Sequence, residues 1–170
     1  LPYLPYSNLY DYSVSGGEVW AQAKWNNGLG ARITYAYTKE QLAKDKDGNS
    51  INNQYIPARE HALNVRMDYD RQISSNYGLN IGLQGRVLSG VENVEYKDYY
   101  DVSKGTISVE YPAYTLWKLS LVQRIGKAVK VNAALDNLFG YKPKFYYLNS
   151  PITDGVTFQV GVSIDIDKFF

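Results

Sequence analysis

Hydrophobic and polar residues alternate along much of this chain with a period of two. Such an alternation is typical of a β-strand with one apolar and one polar face. It is clearest near the C-terminus, where Val156, Phe158, Val160, Val162 and Ile164 alternate with Thr157, Gln159 and Ser163. Six further segments predict strands, with Gln123 as one exception to the pattern: residues 19–25, 29–38, 63–70, 77–87, 117–125 and 129–136.

The length of these segments favours a membrane. Strands of ordinary globular proteins have about five or six residues, and most of the seven segments are longer. A tilted strand needs about nine to eleven residues to cross a bilayer. We therefore predict an all-β fold of about seven or eight antiparallel transmembrane strands. Residues 3–14 have the composition of an eighth strand but alternate poorly.

Short and long connections alternate between the predicted strands. In outer-membrane barrels the periplasmic turns are short and the extracellular loops are long. The short connections are predicted to be periplasmic turns at residues 26–28, 71–76 and 126–127. The long ones are predicted to be extracellular loops at residues 40–58, 89–113 and 140–155.

These strand directions place outward-facing aromatic residues near both ends of the strands. Membrane barrels carry such aromatic girdles on either side of an aliphatic band. The predicted periplasmic girdle contains Trp25, Tyr69, Tyr77 and Phe170. The predicted extracellular girdle contains Tyr35, Tyr37, Trp117, Phe139 and Phe158. A soluble barrel or sandwich would show the same alternation, and we weigh it at about one in ten because of the girdles and loops.

Composition changes this picture little. The net charge of +1 implies no attraction to nucleic acid, and the absence of cysteine excludes disulfides and thiolate metal sites. Tyrosine is abundant, at 17 of 170 residues, and it suits strands and interfaces between apolar and wet surroundings. A mean hydropathy of −0.38 is compatible with a membrane barrel, since only alternate residues face lipid.

Three segments of the C-terminal half resemble the last strands of TonB-dependent outer-membrane receptors. Residues 114–121 (YTLWKLSL) open one strand, residues 131–141 (VNAALDNLFGY) contain Asp-Asn-Leu-Phe, and residues 155–164 (GVTFQVGVSI) form a Gly-x-x-Phe strand. Upstream, residues 55–61 (YIPAREH) and 17–20 (GEVW) resemble strand starts of the family. The resemblance covers nearly the whole chain.

The resemblance implies energised import of a scarce nutrient across the Gram-negative outer membrane. The substrate would be a siderophore-bound iron, haem, cobalamin or a glycan. A full receptor of this family has about 22 strands and an N-terminal plug, which contacts TonB. We expect residues 1–170 to be the C-terminal segment of such a barrel without its plug, since seven is an odd number of strands and an open edge is not tolerated in lipid.

The expected partners follow from the same resemblance. They are outer-membrane lipid, the rest of the receptor, TonB through the plug, the extracellular nutrient and the barrel-assembly machinery. Phe170 resembles the C-terminal signal that this machinery reads, although Lys168 departs from the usual residue two positions earlier. No cofactor, metal or nucleic acid is expected.

Tyrosines of two long loops are the candidate ligand-binding residues. Their rings offer flat amphipathic contacts at modest entropic cost, and packing of the loops on each other is an equally good interpretation. The candidates are Tyr96, Tyr99 and Tyr100 in the loop 89–113, and Tyr146 and Tyr147 in the loop 140–155.

The remaining polar residues give no case for catalysis. His61 is a possible haem or metal ligand, but an interface position is about four times more common for such a residue. The predicted lumen also contains charged residues, which we expect to form ladders with each other and with the plug rather than a substrate path: Arg32, Arg66, Arg86, Arg124, Asp68, Asp70 and Asp136. A complete small barrel acting as an adhesin or anchor is the alternative function. An outer-membrane lipase or protease is a third, and it would need a catalytic set that we do not find.

Overall fold

The protein is described here by a computed structural model, which describes residues 13–41, 58–98, 100–143, 153 and 155–168. The strands are β1 Ser13–Lys24, β2 Leu29–Gln41, β3 His61–Ser74, β4 Tyr77–Leu88, β5 Val91–Tyr96, β6 Thr106–Tyr111, β7 Tyr114–Ile125, β8 Val129–Asp136 and β9 Thr157–Ile164. Seven of them form one antiparallel sheet in the order β1-β2-β3-β4-β7-β8-β9. Strands β5 and β6, which lie between β4 and β7 in the sequence, form a separate hairpin.

The register of the sheet brings the apolar positions of neighbouring strands onto one face. Ile33 is opposite Val65, Ile81 is opposite Leu121, and Val131 is opposite Val162. Opposite residues of an antiparallel pair lie on the same face, so this apolar face is continuous from β1 to β9. The predicted all-β fold with seven alternating strands is confirmed. Gln123, the one polar residue predicted at an apolar position, does lie on the apolar face, opposite Leu79.

No other part of the described chain packs against the apolar face. Val19, Met67 and Val160 lie on three different strands, and each keeps half or more of its surface exposed. Among the described residues, Leu88 and Tyr111 are the only buried hydrophobic ones. The sheet therefore has no hydrophobic core of its own within the described residues.

The two edges at which the strands end are different, as the sequence predicts. At the short-turn edge, β1 connects to β2, β3 to β4, and β7 to β8 through a few residues each. Gly28 and Gly126 have positive φ angles of 97° and 61°, which glycine adopts without a steric penalty. The three long connections all leave from the opposite, long-connection edge.

Two connections differ from the prediction. Residues 71–76 were expected to form a turn, but β3 continues to Ser74, because Arg71 and Gln72 still pair with Leu79 and Gly78 before an irregularity in the register. The actual connection is two residues long. The loop 89–113 contains the hairpin β5–β6, in which Glu92 is opposite Glu110; its strands are too short for their alternation to be recognised.

The aromatic residues predicted to form girdles lie near the two edges of the apolar face. Tyr69 and Tyr77 lie near the short-turn edge, opposite Ile81 and Ile125. Tyr35, Trp117 and Phe158 lie nearer the long-connection edge. Trp25 and Phe139 lie in the adjoining connections, and Phe170 lies outside the described residues.

Polar side chains lie across glycines on the opposite, polar face. Arg124 of β7 reaches over β4 to Asp70 of β3, with 2.6 Å between Nη2 and Oδ1. It passes Gly78, where an added Cβ would come within 2.7 Å of its Nε atom. Lys118 pairs with Asp136 at 2.9 Å. Of the residues expected to form ladders, Arg124 and Asp70 therefore pair directly, whereas the partner of Asp136 is Lys118 and not one of the expected arginines.

Helices contribute little to the described chain. Two short 3₁₀ segments, Val102–Lys104 and Ile166–Lys168, are present. Within the described residues, no helix has the length and apolar character needed to cross a membrane.

Gly85 gives a test of the packing on the apolar face. The indole of Trp117 lies across Gly85, so that a Cβ at this position would be 2.5 Å from the ring. We expect Gly85→Ala to displace the indole and to lower the free energy of unfolding by about 1–3 kcal/mol, the usual cost of overpacking. The urea midpoint of the full-length protein folded into lipid vesicles measures this loss.

The matched control is Gly17→Ala in β1, where an added Cβ meets nothing within 4 Å. This variant should unfold at the same urea concentration as the unchanged protein. Equal midpoints for the two alanine variants would show that Trp117 does not pack on Gly85.

Candidate functional site

The best-packed part of the described chain lies where the long connections begin and end. Four residues there are nearly inaccessible, with exposed fractions of 2–8%: Leu88, Asn93, Tyr111 and Asn137. Two of the four are asparagines, so this region combines apolar burial with polar contacts that need partners. It fixes the bases of the long connections, whose outer parts are the candidate ligand-binding region.

Arg59 links three segments in this region. It precedes β3, and its Nη1 atom donates to the carbonyl oxygen of Ser89 and, at 2.8 Å, to that of Pro112. These two residues flank the hairpin β5–β6. The same guanidinium lies 4.7 Å from the ring centroid of Tyr114, a distance at which a cation and an aromatic face attract each other. One side chain thus holds both ends of the hairpin connection against β7.

Tyr114 extends the contact to the third long connection. Its ring stacks on Tyr141 with centroids 5.4 Å apart. Burial raises the pKa of the Tyr141 phenol, Tyr114 raises it further, and the nearby positive charge of Arg59 opposes the rise. Tyr141 therefore stays neutral at physiological pH, as stacking in this partly buried position requires.

We call this set of Arg59, Tyr114, Tyr141 and Asn137 the loop anchor. Asn137 has a φ angle of 52°, in the left-handed region that asparagine tolerates better than most residues. Its side-chain amide donates to the carbonyl of Tyr141 at 2.7 Å, and its Oδ1 atom accepts from the Tyr141 N–H at 2.9 Å. These contacts explain why asparagine stands at position 137. It tolerates the left-handed backbone conformation, and its side chain makes the hydrogen bonds that hold the turn after β8.

Phe139 completes the same turn on the apolar side. The Leu138 N–H donates to the carbonyl of Trp117 at 2.8 Å, and the Phe139 ring packs edge-on against the Trp117 indole at 6.1 Å. The turn therefore ties β8 to β7 with polar contacts on one side and aromatic contacts on the other.

The end of the hairpin β5–β6 is held by charges. Lys104 pairs with Asp98 and, at 3.9 Å, with Asp101. The Lys104 ammonium and the Tyr100 N–H hold the pKa of the Asp98 carboxyl below its usual range, so this contact persists at mildly acidic pH. Tyr100 is fully exposed at the tip and can meet a molecule arriving from that side.

The candidate tyrosines are only partly located by the structure. Tyr96 ends β5 opposite Thr106, and Tyr100 lies at the tip of the hairpin. Tyr99, Tyr146 and Tyr147 lie outside the described residues. Ligand binding by these five tyrosines stays a prediction.

His61 lies in an aromatic contact at the long-connection edge. Its Nδ1 atom is 2.7 Å from the Tyr35 hydroxyl, and its ring lies 5.3 Å from that of Tyr37. Among the described residues, no group of three or more His, Asp or Glu side chains is arranged to hold a metal ion. This geometry fits an interface residue.

A groove on the polar face lies beside the loop anchor. It has a volume of about 320 Å³ and is lined by residues of β4, β7 and the turn after β8, among them Arg86, Lys118, Asp136 and Thr153. Lys118 and Asp136 pair with each other, whereas Arg86 has no ion pair among the described residues.

Comparison with protein families matches residues 2–138 to the family described as TonB dependent receptor-like, beta-barrel. The chain belongs to this family. The matched stretch includes β1 to β8 and ends one residue after Asn137. No curated protein and no solved structure matches the chain in the corresponding searches.

Family membership accounts for the fold and gives the general function. Proteins of this family are outer-membrane β-barrel receptors that serve transport, and the family is not one of enzymes. A single antiparallel sheet, in which strands follow one another in sequence order and no second layer covers the apolar face, is expected for a segment of such a barrel.

The sequence alone predicts no role for Arg59 or Asn137. Both occur in segments that carry the family resemblance, but nothing in their spacing indicates burial. The only feature of the sequence that could have indicated a role for Arg59 is its position, since it follows Ile56-Pro57-Ala58 just before a predicted strand. Its partners, Ser89 and Pro112, are 30 and 53 residues away.

Replacement of Arg59 by glutamine tests the loop anchor. Loss of the guanidinium leaves the Ser89 and Pro112 carbonyls without their donor, at a cost of about 1–3 kcal/mol. We expect chymotrypsin to cleave residues 89–113 of the full-length protein in vesicles about tenfold faster. Because the charge that opposes it is gone, the pKa of Tyr141 should rise further, which ultraviolet titration of the phenol measures.

Lys127→Gln in the short turn removes the same charge at the other edge and serves as the control. It should leave both the cleavage rate and the Tyr141 titration unchanged. An unchanged cleavage rate in Arg59→Gln would contradict the anchoring role.

Proposed function

We propose that this chain is part of the barrel of a Gram-negative outer-membrane receptor that imports a scarce nutrient using energy delivered through TonB. The observation that carries the proposal is the apolar face, which is continuous over seven strands and covered by no other part of the described chain. Because proteins of this family are outer-membrane barrels, the hydrocarbon of the outer membrane is the environment we propose for this face.

Lipid is the covering that fits this face best. A soluble sandwich or barrel would cover the same residues with a second layer of its own, and side chains such as Val160 and Val162 would then be buried. Here about 60% of each side chain's surface is open. Tyrosine, tryptophan and histidine near the ends of the strands suit the bilayer interfaces.

The open edges of the sheet indicate that further strands complete the barrel. Within the described residues, β1 and β9 each pair on one side only. Unpaired strand edges are not tolerated in hydrocarbon, so we infer that strands of the same receptor pair with both. A plug inside the barrel would receive the signal from TonB, and Phe170 would serve the barrel-assembly machinery.

Substrate recognition is assigned to the long-connection edge. The loop anchor holds the bases of the connections, Tyr96 ends β5, and Tyr100 lies in the turn between β5 and β6. Together with Tyr99, Tyr146 and Tyr147, these side chains would contact a siderophore-bound iron, haem, cobalamin or a glycan outside the cell.

Membrane orientation can be tested with two single cysteines, since residues 1–170 contain none. Tyr100→Cys places one cysteine at the tip of the hairpin β5–β6, and Lys127→Cys places the other in the short turn between β7 and β8. In intact cells that express the full-length receptor, a membrane-impermeant maleimide should label the first cysteine and should label the second only after the outer membrane is broken. Labelling of both, or of Lys127→Cys alone, in intact cells would contradict the assigned orientation.

Uptake tests the function itself. Cells in which this receptor is the sole route should accumulate one member of a panel of radiolabelled iron siderophores, haem, cobalamin and oligosaccharides, and this accumulation should stop when TonB is deleted. Replacement of Tyr96, Tyr99 and Tyr100 together by alanine should reduce uptake about tenfold or more, as expected for aromatic contacts at a binding surface. Lys127→Ala is the control. Uptake independent of TonB would refute the proposal.

A further inference from the structure

Two arginines face each other on the polar side of the sheet. Arg32 of β2 and Arg66 of β3 are direct partners in the register, so their Cβ atoms lie about 5 Å apart. Both side chains are exposed. Like charges directly opposite each other on neighbouring strands destabilise a sheet.

The carboxylate next to this pair only partly balances it. Asp68 lies two residues from Arg66 on the same strand, at 3.8 Å from its Nε atom, which is too long for a hydrogen bond. The Asp68 carboxyl lies instead over Gly30, where an added Cβ would be 2.8 Å from its Oδ2 atom. The absence of a side chain at Gly30 lets the carboxyl lie towards β2.

A third arginine extends the pair across β4. Arg86 is opposite Asn64, which is two residues from Arg66 on the same face, so Arg86 and Arg66 are diagonal neighbours about 7–8 Å apart. Arg86 also lines the groove beside the loop anchor. We call Arg32, Arg66 and Arg86 the arginine row.

An aromatic ring lies at one end of the row. Trp20 of β1 lies on the polar face opposite Thr34, and most of its surface is exposed. The Arg32 guanidinium lies 5.3 Å from its ring centroid. This contact orients the guanidinium but leaves its charge in place.

We propose that the arginine row is a binding site for carboxylate groups, lying on the inner face of the barrel. A planar carboxylate between Arg32 and Arg66 would accept paired N–H bonds from guanidinium groups, which match it in geometry. It would also convert the facing charges from a repulsive pair into two partners of one anion. The inward direction of the polar face rests on the proposed function; the site itself rests on the register and the charges.

Two sources can supply the same carboxylate chemistry. One is an acidic side chain of a segment of the receptor that occupies the barrel interior. The other is a free anionic solute that passes along the polar face. The experiments below separate the two sources by asking whether the carboxylate is covalently part of the receptor.

The first experiment measures stability. In the full-length receptor folded in vesicles, Arg66→Gln should increase the equilibrium constant of urea unfolding about tenfold if a bound carboxylate loses charged hydrogen bonds. If the carboxylate belongs to the receptor, Arg66→Gln should destabilise the protein without any additive. If the carboxylate is a free solute, Arg66→Gln should destabilise the protein only when citrate is present as the anion. Lys130→Gln, which removes a charge from the same face on β8, is the control and should change little.

The second experiment identifies the carboxylate. Asp68→Asn removes the neighbouring carboxyl, and Arg66→Lys in this background introduces an amine that a carbodiimide can join to a carboxylate in direct contact. A cross-link to an Asp or Glu elsewhere in the receptor, located by mass spectrometry, shows the internal source. Absence of a cross-link, together with stabilisation by citrate that Arg66→Gln abolishes, shows the free source.

The proposal is overturned if Arg66→Gln leaves the protein unchanged or makes it more stable with and without citrate. That result would mean that relief of the repulsion between Arg32 and Arg66 outweighs any contact with an anion. Neither experiment measures uptake, so a failure of the import function would be seen separately, and surface labelling of Tyr100→Cys verifies that the variant barrel is assembled.

Discussion

The structure depends on a sheet whose inner strands form their backbone hydrogen bonds with each other but whose hydrophobic side chains remain unburied. Each inner strand pairs on both sides, while the apolar face carries exposed valine, leucine, isoleucine and methionine from β1 to β9. Apolar surface removed from water contributes about 25 cal/mol per Å². Because the described chain covers almost none of this face, most of that stabilisation must come from the surroundings, which for proteins of this family are the outer membrane.

The other features follow from that constraint. A one-residue slip of any strand would move its apolar set to the polar face, so the register has to be held over long strands. Contacts between strands do this on both faces: Arg124 reaches Asp70 across Gly78, and Trp117 lies over Gly85. At the long-connection edge, where polypeptide leaves the sheet, Arg59 and Asn137 supply a small packed region that fixes the bases of the connections.

The sequence predicts the sheet well because alternation, strand length and loop length are local properties. It predicts all seven strands and the residues of the apolar face. It fails where partners are distant in the chain: Arg59 contacts Pro112, and Arg32 meets Arg66 only through the register of β2 and β3. The hairpin β5–β6 was missed because its strands are short. The end of β3 was missed because Arg71 and Gln72 look like the start of a turn in sequence.

The most direct test of the central claim is a nitroxide scan along β8 in the full-length receptor in vesicles, with single cysteines at each position from Val129 to Ala134. Collision with oxygen, which concentrates in hydrocarbon, and with a water-soluble nickel chelate should alternate with a period of two. Positions 129, 131 and 133 should favour oxygen, and Lys130, Asn132 and Ala134 should favour the chelate. Equal access of the chelate to both sets would mean that the apolar face does not contact lipid and would contradict the account.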